Sequence, residues 1–552
     1  NHYYMLPFIL GLIGFAFHYR RDPKTFYVLL ALFLFTSFAL KIFLNERPFE
    51  PRERDYAVVG SFMVFAMWVG FRIYAIYDFL SKKIDAKMAL PLTLSAALLA
   101  SPVLMAKENW DDHDRSEKYT ALAMAKAYLD SVEPNGIIFT IGDNDTFPLW
   151  YLQEVEGYRT DVRVVCTALL QAEWYIDQMK VAAYESAPLK IRFTHKQYTG
   201  NNLYYAAVMP TLEERFDIDA MMDYIASDDP RTKVQMSNGS EIVKIPTNKI
   251  RIPVDKQKVL TNGTISPKFA DQVVDFIDID INSSALYRQR LIMLDIIANN
   301  KWDRPIYFTS GSLSDEDFLW MKDYLQLTGV AYKLVPVKTD MKLQPHPLYI
   351  GNIDTDKMYK TVTNWYWGNS GSSEIYHDPE TRRNAFLYRI NLTRLAEQLI
   401  MEGQKAKAKN ICDIAMENLP IEYYESYMTV EPFAELYYEL GEKAKAKDII
   451  LQLANKYEEQ LKFYAGMKPN EQADYGYEII ENLQSLQRLG DMASGNDESV
   501  KSQIDTRLKP LMNTFKRYID AISAQQKQEQ ILQQKQMEED SISKYVDSSI
   551  ML

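Results

Sequence analysis

The sequence predicts a chain that lives in two solvents: four transmembrane α-helices, then an α/β domain with a mostly parallel sheet, then α-helical repeats. Three observations carry that reading. Nearly all the long apolar runs lie before residue 107. Helical and short apolar, strand-like segments alternate from there to about residue 337. A pattern around Gly403 recurs around Gly441, an offset of 38.

Composition sets the outer bounds. With 552 residues, 47% of them hydrophobic, 25 Phe, 37 Tyr and two Cys, the chain is neither disordered, collagen-like nor disulfide-stapled. The net charge of −12 is unevenly spread, at +4 for residues 1–106 and −16 for residues 107–552. An acidic larger part argues against nucleic acid as a partner. Cys166 and Cys412 are too far apart in sequence for a metal pair and read as buried thiols.

The membrane spans are expected at Tyr3 to Phe17, Phe26 to Leu44, Ala57 to Phe79 and Met88 to Ala106, the last three being long enough to cross. The chain enters its first apolar run at once, with neither a basic n-region nor a small-residue cleavage site, so we expect the C-terminal portion of a larger membrane protein. Each of the three connecting loops has three Lys or Arg. Loops one and three are short and hardly diluted by acids, whereas loop two alternates Arg with carboxylates. Loops one and three are therefore placed in the cytoplasm, and everything after residue 106 outside it, in the periplasm of a bacterium. Arg72 and Asp78 are expected to reach the cytoplasmic interface.

Residues 107–345 read as an α/β domain with an insertion at about 187–285. A helix is expected at Ser116 to Leu129, a strand at Ile137 to Ile141 after the turn Glu133-Pro-Asn-Gly136, a helix at Phe147 to Val155, a strand at Val162 to Leu170 and a helix at Ala172 to Tyr184. Beyond the insertion, with strand-like pieces at Lys249 to Val254 and Val274 to Ile281, come a helix at Leu291 to Asn300 and a strand at Pro305 to Thr309. A helix at Asp315 to Gln326 and a strand at Val330 to Val337 complete the domain. Residues 346–384 read as a linker. Residues 385–523 hold the repeat: Leu395 to Lys409 matches Phe433 to Lys447, and helix, Gly turn, Ala-rich helix at that period describes tetratricopeptide-like pairs. The Gln-rich tail 524–552 reads as a polar or frayed helix.

The segment Gly142-Asp143-Asn144-Asp145-Thr146-Phe147-Pro148 joins a strand to a helix, where open α/β sheets bind ligands. Asp143, Asn144 and Asp145 are the ligand candidates, and the two carboxylates admit a divalent cation as cofactor. The competing reading is capping: Asp145 or Thr146 accepts backbone N–H bonds, with Pro148 in the first helical turn. Arg52 and Arg54, in the loop before the third span, offer guanidinium forks to a lipid-linked phosphate, or else pair with Glu50, Glu53 and Asp55. The run Trp110 to Arg115 has a single His and consecutive acids, which suits a solvated helix entry better than a metal site.

The stretches Asn45 to Tyr56, His113 to Ser116, Gly142 to Gln153, Asp295-Ile-Ile-Ala-Asn-Asn-Lys-Trp-Asp-Arg-Pro-Ile-Tyr307 and Asp323 to Gln326 resemble the bacterial membrane proteins grouped as domain of unknown function 2723. That group is related to glycosyltransferase family 117 and to a eukaryotic transmembrane protein O-mannosyltransferase. The resemblance runs to about residue 465. It implies the end of a C-type glycosyltransferase-like membrane module, with a sugar moved from a polyprenyl-phosphate donor to Ser or Thr of exported acceptor proteins. Its catalytic carboxylate belongs to an N-terminal module outside this sequence, so no catalytic residue is assigned.

Two function classes stay open at this point: the C-terminal portion of a lipid-linked sugar transferase, whose soluble part binds acceptors, and a non-catalytic membrane-anchored scaffold with partner-binding repeats. A third is a sugar-binding module in which Trp365, Tyr366 and Trp367 stack on sugar rings.

Overall fold

The computed structural model describes residues 3–45, 54–236, 239, 241–309 and 318–521. The chain forms two compact units, Asn1–Ser116 and Glu117–Leu552.

The first unit is helical. Three helices are long and apolar enough to cross a membrane: α2 (Pro23–Leu44), α3 (Asp55–Leu80) and α4 (Ala86–Asp111), of 22, 26 and 26 residues. The helix before them, α1 (Leu6–Arg21), has 16 residues and a length of roughly 24 Å, short of the ~30 Å hydrocarbon core. Four expected spans thus correspond to three of full length. α1 runs beside α3 in the same direction, as Phe8–Phe65 and Phe17–Tyr74 ring contacts at 5.9 and 5.5 Å show. Gly14 makes that approach possible, because a Cβ there would lie 1.7 Å from the Trp68 carbonyl oxygen. Arg52 and the rest of 46–53 lie outside the described residues.

The second unit is built on a six-stranded sheet. Its first half comprises α5 (Thr120–Asp130), β1 (Ile137–Thr140), α6 (Asp143–Glu154), β2 (Arg163–Cys166) and α7 (Glu173–Met179). The insertion contributes β3 (Tyr205–Val208), β4 (Phe216–Asp217), α8 (Ile218–Ala226), β5 (Lys233–Gln235), β6 (Glu241–Ile245), β7 (Lys249–Pro253), β8 (Phe276–Asp280) and β9 (Ala285–Tyr287). These strands form two small sheets, ordered β5-β6-β3-β9 and β4-β7-β8. Then follow α9 (Arg288–Asn300), β10 (Ile306–Thr309), β11 (Leu325–Thr328), β12 (Ala331–Leu334), β13 (Asn352–Ile353) and α10 (Thr355–Thr363). The main sheet is ordered β13-β11-β12-β10-β1-β2.

That sheet is mostly parallel, as expected: five of its six strands run the same way, and β12 is reversed. β1 pairs parallel with β2 and β10, and β11 with β13, but β12 is antiparallel to both its neighbours. The cause is the two-residue turn Gly329-Val330, with Gly329 at φ +69, which makes β11 and β12 a hairpin. The helix expected at Asp315 to Gln326 is corrected. Residues 310–317 are outside the described set, Leu319–Tyr324 is a 3₁₀ turn, and Leu325 opens β11. Strand pairing with both faces buried overrides a helical period over so short a run. Other elements are shorter than expected: the strand at 162–170 is Arg163–Cys166 and the helix at 172–184 is Glu173–Met179.

The stretch 346–384, expected as a linker, carries β13 and α10. Helices α11 (Ala385–Met401), α12 (Lys405–Asn418), α13 (Glu431–Glu439), α14 (Lys443–Ala465), α15 (Gly476–Ala493) and α16 (Glu498–Thr514) follow. Gly403 and Gly441 sit at φ +76 and +79 in equivalent turns. The Gly403 N–H donates to Ile400 O and the Gln404 N–H to Leu399 O, both at 2.8 Å. Gly441 and Glu442 repeat the pattern on Tyr438 O and Tyr437 O at 3.0 and 2.8 Å. This is the Schellman ending, for which glycine is suited. One core runs from α5 through α16, and buried arginines bind it together: Arg394 donates to Ile350 O and Gly351 O, and Arg389 to Leu419 O and Glu425 O. The tail 524–552 lies outside the described residues.

Candidate functional site

The predicted site is where the sequence placed it, at the carboxyl end of β1. β1 lies between β10 and β2, reached from opposite sides in chain order, so this is a reversal point of the kind where open sheets bind ligands. α6 begins four residues earlier than expected, directly at Asp143. Pro148 is accordingly its sixth residue rather than part of the first turn, and it leaves the Asn144 carbonyl without an intrahelical donor.

The carboxylates part ways here. Asp145 accepts from the Ile141 N–H at 2.8 Å through Oδ2 and from the Gly142 N–H at 2.9 Å through Oδ1. The Thr309 hydroxyl, at the end of β10, donates to the same Oδ2 at 2.6 Å. Asp145 is thus the acidic half of a capping box and a staple between two strand ends. Hydroxyls fill the space around it: Thr140 and Thr146 share a hydrogen bond of 2.6 Å, and Thr167 donates to the Thr140 carbonyl at 2.8 Å. Asp143 and Asn144 are exposed, and neither side chain has a hydrogen bond or ion pair among the described residues. A cation at this edge would meet one open carboxylate, Asp143, rather than two. Among the described residues no group of three His, Cys, Asp or Glu side chains could hold a metal.

Thr309 is the contributor that sequence reading missed. Its signal was a polar residue ending each strand of the parallel trio: Thr140, Thr309 and, after Cys166, Thr167. Arg54 stands exposed at the entry of α3 in the first unit. Trp365 and Trp367 pack at a core edge around Tyr388, with ring centroids 5.6 and 5.3 Å from it, whereas Tyr366 between them is exposed with Lys126 Nζ 4.9 Å from its ring centre.

The block Asp295 to Tyr307 is a structural knot. Asp295 is fully buried and accepts from the Arg192 backbone N–H at 2.7 Å, from Arg192 Nε at 2.5 Å and from Asn299 Nδ2 at 2.8 Å. Burial pushes its carboxyl up to about 6, against the pull of Arg192. Arg304 donates to Asn135 O, Gly136 O and Ser186 Oγ, and burial lowers its guanidinium to about 10. Trp302 Nε1 donates to Pro253 O at 2.9 Å. These contacts lock α9 and β10 to the β1 turn and the insertion.

One family model matches. Described as TMEM260-associated domain 2, it covers residues 121–357, the α/β region with its insertion. No curated protein and no solved structure matches the chain. This match and the three long apolar helices fit a membrane-associated protein.

Proposed function

We propose that the chain is the C-terminal part of a polytopic bacterial inner-membrane protein that moves a sugar from a polyprenyl-phosphate donor to Ser or Thr of exported proteins. In this reading α1 is a fourth, short span and α1 to α4 complete the membrane module. The α/β unit and the tetratricopeptide-like hairpins lie in the periplasm and receive acceptor proteins. Asp143 and Asn144 are the open contacts at the sheet edge, and Arg52 and Arg54 attend the lipid-linked phosphate. The observation that carries the reading is the TMEM260-associated domain match directly after three apolar helices in one chain. The resemblance of Gly142–Gln153 and Asp295–Tyr307 to the bacterial proteins grouped as domain of unknown function 2723, a group related to glycosyltransferase family 117, supports the same reading.

The test is transfer. Membranes holding the full-length protein, given radiolabelled polyprenyl-phosphate sugar and the exported proteins of the same cell, should label acceptors that membranes from a deletion strain do not. Equal labelling in both would favour the non-catalytic scaffold, whose support is the repeated pair of hairpins around Gly403 and Gly441.

A further inference from the structure

α6 carries apolar side chains on both of its faces. It buries Thr146, Leu149 and Leu152, while Phe147, Tyr151 and Val155, four residues apart along one stripe, are 51, 49 and 65% exposed. Beside that stripe lies a groove of about 520 Å³. Trp150 and Glu154 of α6 form one wall, Val181 and Tyr184 of the chain after α7 the other, and the buried residues of β2, the edge strand of the main sheet, its base. Val181 and Tyr184 are 61 and 62% exposed. The Tyr184 hydroxyl donates to Glu154, which ties the two walls together. Large apolar side chains gathered in the open like this mark an interaction surface.

The charge around that surface is negative. Glu154, Glu156 and Glu185 are exposed and form no ion pair among the described residues. The bonds that Glu154 and Glu156 do accept come from phenols, Tyr184 and Tyr151, and leave both charges in place. Asp177, also on the groove, accepts from His195 and Tyr198. Anionic partners are therefore repelled, whereas the stem of a Lys or Arg side chain finds apolar surface and its head finds carboxylates.

The base of the groove has the opposite need. Arg163 is only 4% exposed, and its Nε and Nη1 have no hydrogen-bond partner among the described residues. A cationic side chain has no acceptor to give them, but a peptide carbonyl has. We infer that the groove and the α6 stripe dock a segment of another protein that alternates cationic and apolar side chains, the apolar ones against Val155 and Val181, the cationic ones against Glu154 and Glu156. Such a surface serves a transferase or a scaffold alike, so it does not depend on the proposed transfer.

Fluorescence anisotropy with the full chain in phosphatidylcholine nanodiscs tests it, with empty nanodiscs as the blank and dye-tagged peptides of alternating Lys-Leu, Lys-Ser and Glu-Leu as probes. The Lys-Leu peptide should bind at least about tenfold tighter than either of the others, and more weakly as salt rises. Val155→Ser/Val181→Ser and Glu154→Gln/Glu156→Gln should each weaken it by about tenfold. All four side chains are exposed, and thermal unfolding checks that both variants fold. Binding unchanged in either variant, a Lys-Ser or Glu-Leu peptide held as tightly as Lys-Leu, or spermine displacing the probe as well as untagged Lys-Leu does would each overturn the inference. So would dimers that Val155→Ser/Val181→Ser disperses in a chain that binds no peptide, since the face would then belong to a second copy. Peptide binding retained in a chain that transfers no sugar would count against the proposed activity and leave this inference standing.

Discussion

Asp145 and Asp295 stand in two of the sequence blocks singled out above, Gly142–Gln153 and Asp295–Tyr307, and the fold uses them in different ways. Asp145 sits at a helix start with three neutral donors, beside two exposed neighbours that form no bonds among the described residues. Asp295 is in mid-helix, fully buried, and faces Arg192, which also reaches Asp219 at 2.9 Å and Asp223 at 2.5 Å. The first block is a structural cap with an open rim. The second is closed on itself. A long specific motif therefore marks either a functional rim or a packing knot, and only the count of bonds made by each side chain separates them.

The strongest way to break this comparison is Asp295→Ala. Arg192 keeps Asp219 and Asp223, but its backbone N–H loses its acceptor, so the variant should lose about 1–3 kcal/mol, seen as a clearly lowered thermal midpoint. A near-normal midpoint would mean that Arg192 is satisfied without it. A smaller effect, about 1 kcal/mol each, is expected for Gly403→Ala and Gly441→Ala, since both φ values are positive and nothing crowds a Cβ at either site. Unequal losses would show that the two hairpins are not equivalent.

pH sharpens the contrast between the buried Asp295 and the half-buried Asp378. Asp295 is raised to about 6 in the fold, above the roughly 3.9 of a free Asp, so the folded chain keeps a proton that the unfolded chain releases. Its contribution to stability therefore falls as pH rises from about 4 to 6. Asp378 behaves oppositely. Burial raises it, but Lys118 and the Thr381 donors outweigh burial and hold it at about 2. Its contribution is complete above about pH 4 and is lost as pH falls towards 2. In urea titrations at a series of pH values, Asp295→Asn should flatten the upper window and Asp378→Asn the lower. A variant that alters the other window would contradict the assignment.

Topology is the remaining check on the proposed setting. Alkaline phosphatase fused after Lys118 should be active, and fused after Lys83 inactive; the reverse would move the soluble unit to the cytosol.

Features written in local sequence were legible. Hydropathy located α2, α3 and α4, because a bilayer demands long uninterrupted apolar runs. The recurrence of Gly-x-Lys-Ala-Lys-Ala-Lys located both Schellman turns, since one residue type meets the need for positive φ. The edge of β1 was legible as a place, though the division of labour within it was not. Asp145 is claimed by Thr309, 164 positions away, and Asp295 by Arg192, 103 positions away, and no local pattern carries such pairings. The first half of β11, Leu325 and Gln326, was misread as the end of a helix because the strand's four residues are buried on both faces, which removes the alternation that marks a strand.

The central claim is that Asp145 is a cap and Asp143 an open rim group. Thermal unfolding of Asp145→Ala and Asp143→Ala in the full-length chain tests it most directly. The account predicts a loss of about 1–2 kcal/mol for Asp145→Ala, from the cap and its stranded donors, and a change within about 0.5 kcal/mol for Asp143→Ala. Equal losses in the two variants, or a loss confined to Asp143→Ala, would contradict it.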